Sequence, residues 1–313
     1  MPAVTRTKLF TAFAAVYLVW GSTYLAIRFA IETLPPFLMA GVRFVIAGAL
    51  LYGVARVRGA ARPTAAHWKA AALVGGLLLL GGNGAVVWAQ QTVPSGVASL
   101  LVAIVPCWMV LIEWLRPRGN APTVPILLGL ALGMTGLVLL IGPESLIGGG
   151  RVELVGALVL AFGSLSWASG SVLSQHIRLP DDAFLTTAME MLAGGALLLV
   201  ASVVAGEPSS FDPGDVTTRS LLALLYLILV GSLVGYTAYI FLLRSTTPAK
   251  AGTYAYVNPV VAVVLGWGLA GEELTLRMLM AAAVIIGGVA LISLGRVRGE
   301  EGAASGGVVR EAA

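Results

Sequence analysis

Residues Tyr17–Tyr52, YLVWGSTYLAIRFAIETLPPFLMAGVRFVIAGALLY, decide the fold. Their two apolar runs are joined by Leu34-Pro35-Pro36, which predicts two helices separated by a short turn. A second copy of this stretch lies further along the chain, at a constant offset of 147 residues. The matched residues are Leu18, Trp20, Ser22, Phe37, Leu38, Gly48, Ala49, Leu50 and Leu51, with Leu165, Trp167, Ser169, Phe184, Leu185, Gly195, Ala196, Leu197 and Leu198. The chain therefore reads as one module used twice.

The composition indicates a membrane protein. Of 313 residues, 58% are hydrophobic and only 11% are charged, and the mean hydropathy is +0.94. A soluble domain carries about 25% charged residues. The 39 glycines fit a membrane protein too, because glycine lets membrane helices approach closely. The single cysteine, Cys107, excludes an internal disulfide.

Apolar runs long enough to cross a bilayer, about 20 residues each, predict an all-α protein with ten transmembrane helices. We place them at 9–29, 36–55, 69–89, 95–115, 122–141, 153–174, 183–204, 220–243, 251–270 and 276–295. The first repeat then covers 9–141 and the second covers 153–295. The Gly/Ala-rich, charged tail 296–313 is expected to be disordered and cytoplasmic.

The distribution of Lys and Arg predicts the orientation, because cytoplasmic segments carry an excess of both. With the N-terminus inside, the inside segments hold Arg6, Lys8, Arg56, Arg58, Arg62, Lys69, Arg116, Arg118, Arg178, Arg244, Lys250, Arg296, Arg298 and Arg310. The outside segments hold only Arg28, Arg151, Arg219 and Arg277. Both termini are therefore predicted to be cytoplasmic.

Five spans per repeat is an odd number, so the second copy enters the membrane from the opposite face. In secondary transporters, such inverted repeats place the substrate site near the midplane, and rocking of the halves exposes it to alternate sides. This symmetry is hard to explain for a receptor or a membrane enzyme.

Three segments carry a resemblance to known proteins. They are VWGSTYLAIRFAIETLPPFLMAGVRFVIAG at 19–48, GNGAVVWAQQTVPSGVASLLVAIVP at 82–106 and GTYAYVNPVVAVVLGWGLAGEELT at 252–275. Together they resemble the drug/metabolite transporter superfamily and, more narrowly, the EamA-domain exporters of bacterial inner membranes. The resemblance implies ten helices in two EamA repeats, and export of small metabolites, including amino acids, or of toxic compounds. Many relatives have an acidic residue after the fourth span, where this chain has Arg116-Pro117-Arg118. The second copy keeps Gly271-Glu272.

Two charged residues, Arg43 and Glu190, occupy matching positions within spans two and seven. A charge at a helix centre costs about 2.5–3.5 kcal/mol on insertion scales. Their depths along the two helices differ by only about 6 Å at a rise of 1.5 Å per residue. We expect an intramembrane ion pair that opens and closes with transport. A static pair, or an Arg43 that reaches Glu32, remains an alternative.

Pro106 and Pro259 lie inside spans four and nine at matching positions of the two repeats. A proline within a helix leaves a carbonyl without its partner and bends the helix. We expect these two residues to act as symmetry-related hinges beside the substrate. Tolerated kinks without a function are the alternative.

Polar and aromatic side chains at membrane depth predict the substrate site, because such groups need a water-lined cavity or a partner. The residues expected to line it are Trp20, Tyr24, Asn83, Trp167, Tyr236, Tyr254 and Asn258. Aromatic walls with a few amides suit a small amphipathic or zwitterionic solute. Any single Trp or Tyr could instead belong to an interfacial belt, Trp88 and Tyr239 most of all.

No catalytic, phosphate-binding or metal-binding motif occurs in the sequence, so we expect no enzyme activity, no metal and no cofactor. The expected function is export of a small, amino acid-like metabolite or a toxic compound across the inner membrane by alternating access. Uptake or exchange of a nutrient or nucleotide-sugar-like solute by the same fold is an alternative. A membrane sensor or scaffold is a further one. The expected partners are membrane lipids and a small-molecule substrate, with no nucleic acid. A homodimer stays open.

Overall fold

The structure is a computed structural model that describes residues 6–116, 122–141, 151–245 and 254–292. Within these ranges the chain is all-helical and contains no strand. The long helices are α1 (Arg6–Ala30), α2 (Pro36–Val57), α3 (Ala65–Ala89), α4 (Ser95–Leu115), α5 (Val124–Ile141), α6 (Arg151–Ser174), α7 (Ala183–Val204), α8 (Thr218–Tyr226, Leu227–Val234 and Gly235–Ser245), α9 (Tyr254–Ala270) and α10 (Leu276–Ile292). The predicted tail 296–313 lies outside the described residues.

Seven helical stretches in the described part of the chain are long and apolar enough to cross a membrane. They belong to α1, α2, α3, α4, α6, α7 and α8. The apolar stretches of α5, α9 and α10, Val124–Leu140, Val257–Ala270 and Leu276–Ile292, are shorter. The chain is therefore a multi-pass, all-α membrane protein. That all ten helices cross the bilayer stays a prediction.

The helix ends follow local rules of sequence. Thr64 caps α3 by accepting from the His67 backbone N–H, and Asp182 caps α7 by accepting from the Leu185 N–H at 2.8 Å. Gly206 and Gly271 follow α7 and α9 and have φ angles of 75° and 66°, a conformation that suits glycine after a helix. The predicted bounds 183–204 agree with those of α7, whereas α3 starts at Ala65, next to the Thr64 cap and four residues before the predicted start at 69.

Two helices contain wide turns that the sequence did not predict. The segment Gly76–Asn83 of α3 and the segment Leu227–Val234 of α8 have π-helical geometry. In α3 the Gly84 N–H donates to the Leu79 carbonyl, five residues earlier. Each segment follows the opening turns of its helix, so the third helix of each half carries the same irregularity. Such segments frequently occur at functional sites.

The two predicted hinge prolines have different surroundings. Helix α4 is interrupted between Val102 and Val105, and Pro106 lies in the first turn of its second part. Helix α9 runs through Pro259 without a break. The same residue type in matching positions therefore gives one broken and one continuous helix. A hinge role for either proline stays a prediction.

Helices of the two halves pack against each other in matching pairs. Helix α2 packs along α7, and α5 packs on α10, where Gly129 lies against Gly288. Helix α1 contacts α8 and α9, while its counterpart α6 contacts α3 and α4. The close approaches use glycine, since a Cβ on Gly129 would lie 2.5 Å from the Gly288 carbonyl oxygen. Small residues at helix crossings are the usual means of packing membrane helices.

Two glutamates of the second half cap helices of the first half. Glu207 accepts from the Phe37 and Leu38 N–H groups at the start of α2, at 3.0 and 2.8 Å. Glu272 accepts from the Ser95 and Gly96 N–H groups at the start of α4, at 2.6 and 2.9 Å. A carboxylate at a helix N-terminus satisfies free N–H donors and matches the positive end of the helix dipole. These contacts tie the two halves together.

The Glu272 cap predicts a measurable loss of stability in Glu272→Gln. The amide keeps one acceptor but loses the charge and the second acceptor, so the variant should lose about 1–2 kcal/mol of stability. Thermal unfolding of the purified protein in detergent measures this loss. Glu273→Gln is the matched control, because Glu273 is exposed and makes no such contact within the described ranges. Equal melting temperatures for the two variants would contradict the assignment.

Candidate functional site: a central cavity

A cavity of about 110 Å³ lies among seven helices near the middle of the protein. Its side chains come from α1, α2, α3, α4, α6, α8 and α9. The lining residues are Trp20, Thr23, Tyr24, Ile27, Arg43, Gly82, Asn83, Val86, Ser99, Val102, Ala103, Val105, Gly163, Ser164, Trp167, Tyr236, Tyr254, Asn258 and Pro259. All seven residues predicted to bind substrate are among them. The structure therefore brings together, in one hollow, residues from five helices that the sequence had only placed at membrane depth.

One wall of the cavity is a cluster of aromatic rings around Trp20. The Trp20 ring centroid lies 5.3 Å from that of Tyr236, 4.9 Å from that of Tyr239 and 5.2 Å from that of Tyr254. The last contact is edge-to-face, at an interplanar angle of 89°. Trp167, the counterpart of Trp20 in the second copy, lines the same cavity. This wall offers ring faces to a cation and apolar surface to a side chain.

The two predicted asparagines differ in how they are held. With its amide oriented to suit its neighbours, Asn258 donates from its side-chain nitrogen to the main-chain carbonyls of Tyr254 and Tyr17, both at 3.2 Å. The Oδ1 atom of Asn83 is buried and has no hydrogen-bond partner among the described residues. An unpaired buried acceptor is costly, so Asn83 provides a ready partner for a donor on a bound molecule.

The π-helical segment of α3 places Asn83 beside α6. A Cβ on Gly82 would lie 2.9 Å from the ring of Trp167, so only glycine permits this approach without a shift. Gly82 and Gly163 both line the cavity where the two helices cross. The π-helical segment and the two glycines thus allow the α3 backbone, the Asn83 amide and the Trp167 indole to lie together at one corner of the cavity.

Arg43 reaches the cavity from α2 and has no acidic partner within the described ranges. Its side chain is buried, with 3% of the residue exposed. Its Nε donates to the Ser232 Oγ at 2.9 Å, and its guanidinium lies 4.6 Å from the ring centroid of Phe44. Its NH1 nitrogen is buried without a hydrogen-bond partner. Ser232 belongs to the π-helical segment of α8, so that segment also supports the site.

The predicted ion pair between Arg43 and Glu190 is not formed in the described residues, and this corrects the expectation. Arg43 turns toward Ser232 of α8. The main-chain carbonyl of Glu190 packs against Gly75 of α3, and its carboxylate forms no ion pair with Arg43 in the described residues. The alternative contact of Arg43 with Glu32 is not formed either, because Glu32 pairs with Arg219 at 3.3 Å. Depth along a helix estimates the level of a side chain but not the direction in which it leaves the helix.

Two further aromatic residues were expected in an interfacial belt. Trp88 is 36% exposed, which fits that position. Tyr239 does not, because its ring packs on Trp20 and on Tyr254, with a centroid distance of 5.7 Å to the latter. Tyr236 and Tyr239 are three residues apart on α8 and therefore share a helix face. That spacing was the signal that could have assigned Tyr239 to the cluster.

Several lining residues were not predicted as site residues. Ser99 and Ser164 face the cavity from α4 and α6, and the Ser164 Oγ accepts from the Trp108 indole at 3.2 Å. Arg43 was placed in an ion pair and not in the site. A lone serine in an apolar helix is more often a packing residue, so the sequence gave no signal that Ser99 and Ser164 would line the cavity. Within the described residues, no three His, Cys, Asp or Glu side chains come together as candidate metal ligands.

A polar and aromatic hollow enclosed by membrane-length helices is the arrangement of a membrane protein that transports small solutes. Comparison with known proteins gives the same class. The model of the EamA-like transporter family matches residues 7–142 and again residues 154–294. The chain belongs to the EamA-like transporter family. It is therefore a transporter and not an enzyme.

Individual relatives agree with the family. The chain is 43% identical, over 92% of its length and 91% of the relative's, to the uncharacterized inner membrane transporter YedA of Escherichia coli (strain K12). It is 27% identical, over 92% of both, to the uncharacterized transporter YvbV of Bacillus subtilis (strain 168). A solved crystal structure with 23% identity superposes with a TM-score of 0.64 over 92% of this chain and 98% of that one, and it shares the fold. The chain is thus a multi-pass protein of the inner membrane that transports a small solute.

The contact between Arg43 and Ser232 predicts that Ser232→Ala destabilises the protein. The substitution removes the acceptor of the Arg43 Nε and leaves a buried cation with less support, which should cost roughly 1–3 kcal/mol. Thermal unfolding in detergent measures this cost. Ser202→Ala is the matched control, because the Ser202 Oγ is buried without a partner in the described residues and its removal should leave stability nearly unchanged. An equal loss in both variants would argue against the contact.

Proposed function

We propose that this protein exports a small, amino acid-like metabolite across the inner membrane by alternating access. Toxic compounds of similar size and character are the second class of solute that the site suits. The observation that supports this most directly is the central cavity, where aromatic rings, two amides and one guanidinium converge. The residues proposed to bind the solute are Trp20, Tyr24, Asn83, Trp167, Tyr236, Tyr254 and Asn258.

The size and charge of the cavity favour a small solute. Sites for drug-sized ligands measure about 300–1,000 Å³, whereas this cavity measures about 110 Å³. A nucleotide sugar is larger than such a hollow and carries two phosphates. Arg43 is the single cationic side chain among the described lining residues. The uptake or exchange of a nucleotide-sugar-like solute is therefore the less favoured alternative.

The proposed mechanism rests on ten membrane spans arranged as two inverted five-helix repeats, at 9–141 and 153–295. The matching helix pairs support this arrangement, since the contacts of α1 with α8 and α9 have counterparts in those of α6 with α3 and α4. Rocking of the halves would open the cavity alternately to the two faces. Pro106 and Pro259 are the proposed hinges, and both termini are proposed to be cytoplasmic. Lipids surround the protein, and a monomer or a homodimer can perform this cycle.

Solute exchange by purified protein in proteoliposomes tests the proposed substrate class. Vesicles preloaded with an unlabelled amino acid should accumulate the same labelled amino acid for at least one member of a full amino acid panel. Trp20→Ala should lower this exchange about tenfold, equivalent to roughly 1.4 kcal/mol, because it removes the centre of the aromatic wall. Trp114→Ala is the matched control, since Trp114 lies on α4 and is 44% exposed. Equal exchange in the two variants would place the solute elsewhere.

The proposed direction of transport, export from the cytoplasm, is tested with membrane vesicles of opposite orientation. Labelled solute should enter everted inner-membrane vesicles faster than right-side-out vesicles prepared from the same cells. Faster entry into right-side-out vesicles would favour the uptake alternative. No exchange in any preparation would argue against an amino acid-like solute.

The inverted arrangement predicts opposite labelling of equivalent loops. Glu32 follows α1 and Arg178 follows α6, and both are exposed. In whole cells, a membrane-impermeant maleimide should label a cysteine at Glu32 but not one at Arg178, which should react only after the cells are opened. The parent protein is a suitable background because Cys107 is buried. Labelling of both positions from the same face would contradict the inverted repeat.

A further inference from the structure

The cavity contains a buried positive charge that no protein group neutralises in the described part of the chain. Arg43 is 3% exposed and donates from Nε to the neutral hydroxyl of Ser232. Its nearest aromatic ring, that of Phe44, contributes a cation–π contact at 4.6 Å but no negative charge. We infer that the transported solute carries one carboxylate, and that Arg43 binds it. This inference rests on the proposed function and narrows its substrate class.

The described acidic side chains do not provide the missing charge. Glu32 pairs with Arg219, and Glu113 pairs with Arg116 at 3.1 Å. Glu207 and Glu272 cap helices α2 and α4. Glu190 lies within the membrane on α7 but forms no ion pair with Arg43 and does not line the cavity. No described carboxylate forms an ion pair with Arg43, so a molecule that enters the cavity can supply the counter-charge.

The chemistry of the guanidinium suits a carboxylate. Arginine has five N–H donors in a fixed plane, and Ser232 uses only the one on Nε. The NH1 atom has no partner. Two parallel N–H groups match the two oxygens of a carboxylate, and such charge-assisted contacts are about twice as strong as neutral ones. Burying a charge is costly unless it is paired, so a solute anion would relieve this cost on binding.

The rest of the lining selects one negative charge on a small solute. Arg43 is the single Lys, Arg or His side chain among the described lining residues, so a phosphate dianion would leave an unbalanced negative charge there. A simple amine has the same sign as Arg43 and would be repelled. A monocarboxylate balances the charge and fits a hollow of about 110 Å³. Any amino group it carries would face Asn83 and the aromatic wall.

The decisive experiment compares carboxylates with their neutral and cationic analogues in wild-type proteoliposomes. The panel contains the L-amino acids, their amides, their decarboxylated amines, and monocarboxylates that lack the amino group. A carboxylate should exchange at least about tenfold faster than its own amide or amine, because truncating one member of a buried charge pair usually has a larger cost than that factor. This comparison needs no variant, so it does not depend on the folding of a mutant.

The outcomes separate this inference from the proposed function. Exchange of an amino acid and its amide at equal rates would overturn the role of Arg43 while leaving amino acid transport in place. Exchange of simple monocarboxylates but of no amino acid would overturn the amino acid-like substrate while supporting the carboxylate anchor. If no carboxylate in the panel exchanges, or if only amines exchange, the inference is wrong.

Two variants test whether Arg43 itself binds the carboxylate of the solute. Arg43→Gln should remove the preference, so that acid and amide exchange at rates within about twofold of each other, and Arg43→Lys should restore part of it. A merely structural role would lower both rates equally and leave their ratio unchanged. Arg219→Gln is the matched control, because Arg219 lies at a helix end, half exposed, and its loss should leave the ratio at its wild-type value.

Discussion

The bilayer interior offers no water to a polar group, and the structure depends on this constraint more than on any other. Each polar side chain at membrane depth needs a partner, a water-filled space or a bound molecule. In this protein those side chains converge on one hollow. Tyr24, Asn83 and Asn258 lie on three different helices, yet all three line the same cavity. The apolar residues that the helices leave exposed, such as Phe10 and Val204, can then face lipid.

The same constraint explains what the sequence could predict. A Trp, Tyr or Asn inside an apolar run is costly unless it has a partner or faces a cavity. The seven residues predicted on that ground all line the cavity. Helix positions followed from apolar length, which placed the start of α7 at 183, as observed, but the start of α3 at 69 and not at Ala65. The two-copy pattern followed from the constant offset between Trp20 and Trp167. These signals are local or periodic, so they can be recognised in the sequence without knowing how the helices pack.

What the sequence could not predict depends on direction and on backbone geometry. Arg43 and Glu190 have matching positions, but the Arg43 side chain leaves toward α8, where it contacts Ser232 and not Glu190. The wide turns at Gly76–Asn83 and Leu227–Val234 have no compositional signature, because each is an apolar run like the regular helices around it. Ser99 and Ser164 were missed since a small hydroxyl also serves ordinary packing.

The glutamate caps make the contact between the halves unequal at the two membrane faces. Glu207 and Glu272 of the second half hold the starts of α2 and α4, and under the proposed topology both contacts lie at the outer face. The first half has basic residues directly after α2 and α4, Arg58 and Arg116, and Arg116 contacts Glu113 and His176. The carboxylate caps between the halves therefore lie at one face, whereas the Arg116–His176 contact lies at the other.

The π-helical segments have a geometric consequence for both sides of the hollow. A π-helical turn contains one residue more than an ordinary helical turn. If that turn moves along the helix, the intervening residues shift by about 1.5 Å along the axis and rotate by about 100° around it. Such a screw-like step in α3 would swing the Asn83 amide around its helix axis, and in α8 it would carry the Ser232 hydroxyl away from the guanidinium. The extra residue in each of the two π-helical segments thus permits a change in the shape of the cavity while both helices stay intact.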